Sequence, residues 1–553
     1  MMKVSGKRVA IALLPLLMGV LAFFAANGPL ILDPQNIGWL GGGDPATHYL
    51  GWVFFRDAPW SFPLGLNPSY GLELGSAVIF SDSNPLLAFV FKPFSAWLPH
   101  PFQYFGIWLL MCFVLQAWFA WKLLGLATPN AVLRLLGVGL FLFSPPMILR
   151  MGGHLSLAGH FLILAGLYLA LHPGVQKRRL AWGSLLAVTA LVHSYLLAMV
   201  ALIWLADLAG RTLKQQMTRR TALIELLVLL VVVSLSCWQA GYFSLRDGVV
   251  AGGFGLYRMN LLALVDSGGW SLLLPDLREG VGDYEGFNFL GTGTLLLVIC
   301  AVLVLLRGKV DGGALVRRLP ALMVVLAGLT VFALSNEIGI GLFNIHYPLP
   351  KFIVNLANVF RASGRMFWPV FYIIVFAAIF LVVRGTRPGV AGCLLAAALL
   401  IQVVDTRNGW MGLHQARMVP PASAWPTTLN DPFWASAASH YTKVRSLPAL
   451  NQSANWQVIA DYAGNHGMKT DTAYLGRMSP TALQQAQRVT QRLLETGKYD
   501  QDSLYILDDS TGLEAAKTLN GATDVLVRID GLLVLAPGWK QCAQCLPLQE
   551  AEQ

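Results

Sequence analysis

Apolar runs about as long as a bilayer is thick recur along this chain from residue 9 to residue 404, broken by short clusters of Lys and Arg. A helix rises 1.5 Å per residue, so about 20 mostly apolar residues cross the hydrocarbon core. A chain carrying one such run after another folds as a bundle of helices, because a helix satisfies its backbone within its own segment. Charged residues make up only 12% of the sequence, against roughly 25% in a soluble globular chain. The net charge of +10 does not indicate nucleic acid as a partner. The basic residues sit between the apolar runs, as in loops that face an anionic cytoplasmic leaflet, so the partner they imply is the membrane lipid bilayer.

The basic clusters also orient the runs. The first run, 9–26, follows Lys3, Lys7 and Arg8, which places the N-terminus in the cytoplasm; no small-residue cleavage site follows, so the run is expected to stay as a span. Further spans are expected at 104–124, 131–149, 155–171, 222–242, 291–306, 319–341, 366–383 and 390–404. The run 180–208 is too long for one ordinary span, and both flanks are basic, so it is expected to be two short helices meeting at His193. This gives about eleven transmembrane helices, with the strong basic clusters inside and loops of about 27–103, 243–290 and 342–364 outside. The apolar stretch 85–98 is too short to span and is expected to be a re-entrant or interfacial helix.

After Asp405 the apolar runs shrink to strand length and charges of both signs mix. Strands are expected at 441–447, 470–475, 503–507 and 524–535, with helices at 455–463 and 480–495. Ser479 and Pro480 suit the N-cap and first turn of the second helix. The expected fold class is therefore mainly α: a polytopic helical membrane domain over 1–404, then a small extracytoplasmic α/β domain over 405–553. No glycine-rich phosphate loop follows these strands. Cys542 and Cys545 form a CxxC, without a second Cys or His pair at zinc-ligand spacing, and a local disulfide is expected outside the cytoplasm. Cys112, Cys237, Cys300 and Cys393 lie in apolar runs and read as packing residues.

Ionisable groups at the membrane face are where chemistry is expected. Gly41, Gly42 and Gly43 precede Asp44-Pro45, and His48 follows closely. The glycines permit a tight turn that brings the Asp44 carboxylate to the surface, as general base or as ligand to a divalent cation. Asp44 equally suits an N-cap for a helix begun at Pro45. Asp82 precedes Pro85 and has the same two uses. Arg150 and His154 follow the third span, and Glu285 precedes a later one. His154 and His160 are six residues apart and do not share a helical face, so they do not read as a metal pair. Arg361 and Arg365 flank Gly364 at a span entrance. Guanidinium pairs suit a phosphate or pyrophosphate; anchoring to lipid headgroups is the alternative.

One span, then a long loop with GGGDPATHY and SNPLLAFVFKPF, then many spans and a C-terminal domain: this layout resembles the GT-C superfamily of membrane glycosyltransferases. The segments RMGGHLSLAGH, YEGFNFLGTG and FRASGRMFWP are similar to those of a bacterial branch of that superfamily with large external domains. The resemblance covers about residues 1–404 in layout. It implies a bacterial inner-membrane enzyme that takes a sugar from a polyprenyl-phosphate carrier on the periplasmic face, with a glycan, lipid or exported protein as acceptor. Asp44 is the position matching the catalytic carboxylate of the first external loop, and donor-site roles would fall to Arg361, Arg365, His48, Asp82, Arg150, His154 and Glu285. Here the acid is a single Asp followed by Pro, where the best-known pattern has an adjacent acidic pair; dependence on a divalent metal stays open. The alternative is a transporter or flippase for a lipid-linked or polysaccharide precursor. Transporters carry internal repeats and charges at midplane; no clear repeat is visible, and few charges lie mid-span.

Overall fold

The computed structural model describes residues 6–245 and 252–542. Two units organise the chain. One is assembled from Met1–Trp39, Phe102–Ser236 and Ala251–Pro421, the other from Leu40–Pro101, Cys237–Val250 and Ala422–Gln553.

The first unit is helical, and each predicted apolar run carries a helix. Five helices are long and apolar enough to cross a membrane: Phe105–Leu124, Ser194–Leu213, Arg219–Ala240, Ser363–Gly385 and Pro388–Asp405. Shorter apolar helices stand at Leu13–Asn27, Ala131–Leu142, Leu155–Leu171, Thr292–Leu306 and Pro320–Leu334. The breaks have local causes. The run 131–149 divides before Pro145 and Pro146, whose missing N–H groups fit only a helix start, and Pro145–Arg150 begins anew. The run around His193 divides into Arg178–Ala190 and Ser194–Leu213. His193 is extended, and its Nδ1 accepts the backbone N–H of Tyr195 at 3.1 Å, which starts the second helix. That helix is 20 residues long, not the short helix expected.

Helices in lipid gain little from burying apolar surface against each other, so close backbone packing carries more of the work. Gly293 shows this: a Cβ there would sit 1.9 Å from the carbonyl oxygen of Ala398, which lets Thr292–Leu306 lie directly against Pro388–Asp405. The expected span 319–341 needs correction. Its helix stops at Leu334, and Ser335 turns the chain at φ 59°. Glu337–Ile340 (β1) then pairs antiparallel with Phe343–His346 (β2). A polar Asn336-Glu337 pair and two glycines, Gly339 and Gly341, are poor material for the end of a span.

In the second unit a five-stranded sheet takes the order β4-β3-β5-β7-β6. Its strands are Lys443–Leu447 (β3), Lys469–Thr470 (β4), Ser503–Leu507 (β5), Val525–Ile529 (β6) and Leu532–Ala536 (β7). β3 pairs parallel with β4 and β5, while β7 pairs antiparallel with β5 and β6. Helices Trp456–Asn465 and Pro480–Thr496 match the sequence, and Ser479 caps the latter through Ala482 N–H. The expected strand 524–535 is two strands. Asp530 (φ 48°) and Gly531 (φ 80°) form the left-handed pair of a tight hairpin turn. Helices Pro432–His440 and Asp509–Thr518 were not foreseen; Asp431 and Asp508 cap them. The long first loop joins this unit. Gly71 N–H donates to Thr470 O at 2.8 Å and Thr470 N–H donates to Ser69 O at 3.0 Å, so the loop covers the β4 edge. Arg445 on β3 pairs with Glu73 of the same loop at 2.6 Å. Cys542 is disulfide-bonded, and Cys545 lies outside the described residues.

The irregular chain between Gly252 and Gly291 belongs to the first unit, and the buried Asp405 carboxylate holds it. Oδ1 accepts from Leu272 N–H at 3.0 Å and Leu273 N–H at 2.9 Å, and Oδ2 accepts from Ser271 Oγ at 2.7 Å and Thr292 Oγ1 at 2.5 Å. Replacing Asp405 with Ala strands these donors, at about 1–3 kcal/mol for each one kept from water. Asp405→Ala is expected to make the segment 252–290 the first site of limited proteolysis; an unchanged digestion pattern would remove Asp405 from this role.

Candidate functional site

Four of the predicted residues converge in the first unit. Glu285 sits in a one-turn helix, Asp283–Gly286, and is buried. Arg150, at the end of Pro145–Arg150, donates Nη1 to Glu285 Oε2 at 2.7 Å and Nη2 to the Glu285 carbonyl at 3.0 Å. Arg365 meets the same carboxylate sideways, with Nε to Oε2 at 3.0 Å and Nη2 to Oε1 at 2.8 Å. His154 Nε2 lies 3.6 Å from Oε1. Glycines make the approach possible. A Cβ on Gly364 would lie 2.5 Å from the Gly286 Cα, and one on Gly286 would lie 2.1 Å from the Arg258 carbonyl. Asn288 stitches the two segments, donating to Gly286 O at 2.8 Å and Gly364 O at 3.2 Å.

Burial alone would raise the Glu285 carboxyl, but Arg365, the His154 hydrogen bond and Arg150 outweigh it and hold it well below the usual carboxylate range. Burial and the like charge of Arg365 lower Arg150 to about 10, which leaves it cationic at neutral pH. The cluster therefore carries two fixed cations against one fixed anion. Such a carboxylate is a poor general base, since its proton affinity is far below neutral. It positions the guanidiniums, and it leaves the surplus positive charge available to an anion.

Arg361 is placed differently. Its guanidinium lies 5.6 Å from the centre of the Tyr257 ring, and it forms no ion pair among the described residues. Tyr257 stands edge-on to the exposed Tyr284. Arg365 also lies 5.1 Å from the Tyr195 ring, and Tyr195 Oη accepts from Ala362 N–H at 2.9 Å. Beside this cluster Arg258 binds Asp283 at 3.0 Å, the carbonyl of Glu337 and the side chain of Asn344, tying β1 and β2 to the loop. Sequence reasoning missed Tyr257 and Arg258. The available signal was an Arg in a loop expected outside, against the usual charge bias.

Asp44, His48 and Asp82 lie in the second unit. Asp44 is in the first turn of Gly43–Asp57 and is half-buried. It is not the cap: Gly42 holds that position, without a side-chain bond. Gly42 (φ 86°) and Gly43 (φ 58°) are glycine for conformation, since a Cβ on either would meet nothing within 4 Å. An acid in the first turn is favoured by the helix dipole. His48 is buried with Nδ1 3.0 Å from the Ser81 carbonyl oxygen, so that nitrogen is engaged by the backbone. Asp82 (φ 51°) does not cap the next helix either; Asn84 does, accepting from Leu87 N–H. The 85–98 stretch is a seven-residue helix, Pro85–Phe91, continued as a 3-10 helix over Lys92–Trp97. Among the described residues no three His, Cys, Asp or Glu side chains group as a metal-ligand set.

Glu285→Ala leaves two guanidiniums buried together without their counterion, which costs about 3–5 kcal/mol. A depressed folded-state pKa stabilises above the unfolded value and is lost as pH falls toward the folded one. The stability that Glu285 contributes is therefore expected to be constant from about pH 8 to about 5 and to decline below about 4, the ordinary Glu value. Thermal unfolding in detergent at stepped pH checks this: Glu285→Gln should begin lower and show a shallower acid decline. An acid limb identical to wild type would exclude Glu285 as its source.

A family model described as a domain of unknown function, DUF6311, matches residues 16–407, and one described as the DUF6311 C-terminal domain matches 433–537. No curated protein matches the chain. Among solved structures it is similar to the archaeal oligosaccharyltransferase AglB from Archaeoglobus fulgidus, in complex with an inhibitory peptide and a dolichol-phosphate. That likeness has 12% identity and a TM-score of 0.35, covering 93% of this chain and 72% of the other. The family match, in contrast, takes in well over half of the sequence. This helical chain, with its arginine-held Glu285 and its C-terminal sheet, belongs to the DUF6311 family.

Proposed function

We propose that this protein is a membrane glycosyltransferase that moves a sugar from a polyprenyl-phosphate carrier to a hydroxyl or amide acceptor on a cell-surface glycan, glycolipid or exported protein, at the periplasmic face. The observation that carries the reading is the surplus of guanidinium over carboxylate where loops meet apolar helices. Arg150 and Arg365 share one Glu285, and Arg361 stands over Tyr257 with no carboxylate partner among the described residues. A lipid phosphate needs fixed cations beside helices that accommodate its tail, and preorganised guanidiniums stabilise the charge that grows on a leaving phosphate.

In the proposed step, the acceptor oxygen or nitrogen bonds to the anomeric carbon as the bond from that carbon to the phosphate oxygen breaks. The electron pair leaves with the polyprenyl phosphate, whose charge the arginines take up. Asp44, an acid in the first turn of Gly43–Asp57, is the residue proposed to accept the acceptor's proton. Glu285 acts on the arginines and not on the substrate.

Purified protein in lipid, given a panel of polyprenyl-phosphate sugars, should release free polyprenyl phosphate. Asp44→Asn is expected to lower turnover by about 10²–10⁴-fold, the usual contribution of a general base. Arg361→Ala is expected to weaken donor binding by about 10- to 150-fold, with chain stability little changed, as for loss of one charge-assisted contact of about 1.5–3 kcal/mol. Wild-type turnover in Asp44→Asn would reject Asp44 as base. Labelled lipid crossing the bilayer intact, with no release from any donor, would replace the enzyme with a transporter.

A further inference from the structure

A second charged site lies away from these loops, within the first unit. A cavity of about 800 Å³ opens between helices Arg178–Ala190, Ser194–Leu213 and Arg219–Ala240. One end is ionic. Lys177, Arg178, Arg179 and Arg211 line it with a single acid, Glu225. Behind the lining, Asp207 accepts from Arg178 Nε at 3.1 Å, Arg211 Nε at 3.0 Å and Trp182 Nε1 at 2.9 Å. Arg211 also pairs with Glu225. Arg178 and Arg211 are thus matched by the two buried carboxylates. Arg179 reaches Glu225 only at 3.4 Å, with its side chain 49% exposed. Lys177 is exposed at the helix start. Counting Asp207, four cations face two anions.

The other end is apolar. From Glu225 the lining continues through Val228 and Leu229 to Val232, seven residues or about 10 Å further along the helix. Val228 is exposed there, and Leu180 is exposed beside Arg179. Arg219–Ala240 is long and apolar enough to span, and only 17% of its most apolar window is buried inside the protein, so most of that surface is left for lipid tails. A charge-only network holding three helices together would need neither the surplus cations nor an apolar continuation of the cavity. A bound amphiphile needs both.

We propose that this cavity is a binding site for an anionic phospholipid, its phosphate at Lys177 and Arg179 and the start of an acyl chain along Val228 and Val232. Basic pockets between membrane helices hold phosphate headgroups in this way, each surface cation contributing modestly and additively. The site is separate from the arginines assigned to the donor, and it would tie the helix ends together only in a membrane that supplies the lipid.

The test uses the full-length protein, delipidated in detergent, with native mass spectrometry as readout and three probes: phosphatidylglycerol, phosphatidylcholine and inorganic phosphate. Wild type is expected to retain phosphatidylglycerol at least 10-fold better than phosphatidylcholine. Lys177→Gln combined with Arg179→Gln should remove that preference without moving the unfolding midpoint, because the Arg178, Arg211, Asp207 and Glu225 pairs stay in place. Val228→Trp, which fills the apolar end and leaves every charge, should lower retention by a similar factor. Equal retention of the two lipids by wild type, or unchanged retention in both variants, would overturn the proposal. Displacement of phosphatidylglycerol by millimolar inorganic phosphate would overturn the lipid assignment in favour of a soluble anion.

Discussion

The Glu285 carboxylate between Arg150 and Arg365 holds three distant stretches of chain at one point. One stretch ends the broken third run, one leads into Thr292–Leu306, and one opens Trp368–Gly385. Taking three charges out of water is expensive, and it is tolerable only where each finds well-aligned partners. Here the pairing is sideways and multiple, and Arg150 additionally binds the Glu285 carbonyl. Because the partners come from different helices, the cluster fixes the helix ends relative to one another. It also fixes the sign of the local field: two buried cations with one anion remain net positive, and Arg361 on the adjoining turn adds to them.

Long irregular segments joined to membrane helices raise a backbone problem as well as a charge problem. Each buried N–H and carbonyl needs a partner, and a segment such as 252–290 has little regular structure to supply them. The chain answers with side chains of high acceptor or donor capacity. Asp405 takes four donors, and Arg258 reaches a carboxylate, a carbonyl and an amide on three different elements. Gly286 and Gly364 then allow backbones to touch where any side chain would hold them apart. The same economy serves the second unit, where the long first loop completes the edge of β4 and places Glu73 on Arg445.

Much of the local structure was legible because its causes are local. His193 marked the division of an overlong run, whereas the break before Pro145 falls inside the single span expected at 131–149. Ser479-Pro480 announced a helix. The misses have equally definite causes. Asp44 and Asp82 each precede a proline-led helix by sequence, yet the caps are Gly42 and Asn84, because the chain enters both helices through left-handed or otherwise unusual backbone conformations that an acid at the expected position does not serve. The Asp530-Gly531 turn was overlooked inside an apolar run, although that dipeptide is a strong hairpin signal. The span expected at 319–341 takes in β1, since Ile338 and Ile340 sustain hydropathy past the helix stop, while β2 falls in the loop expected at 342–364.

Hydropathy and charge spacing by themselves determined where the helices stand, how many apolar runs the chain carries and which loops hold the ionisable groups, because insertion into lipid depends on the composition of each segment alone. They also determined that Arg150, His154, Glu285 and Arg365 were worth attention, since each lies at the end of such a run. Only the tertiary structure decided that these four meet, that Arg361 stands apart on Tyr257, and that the first long loop shares a unit with the C-terminal sheet. The pairings join residues 80 to 135 positions apart. They depend on how helices pack and on where glycines let backbones approach, and neither is written in the period or composition of any single segment.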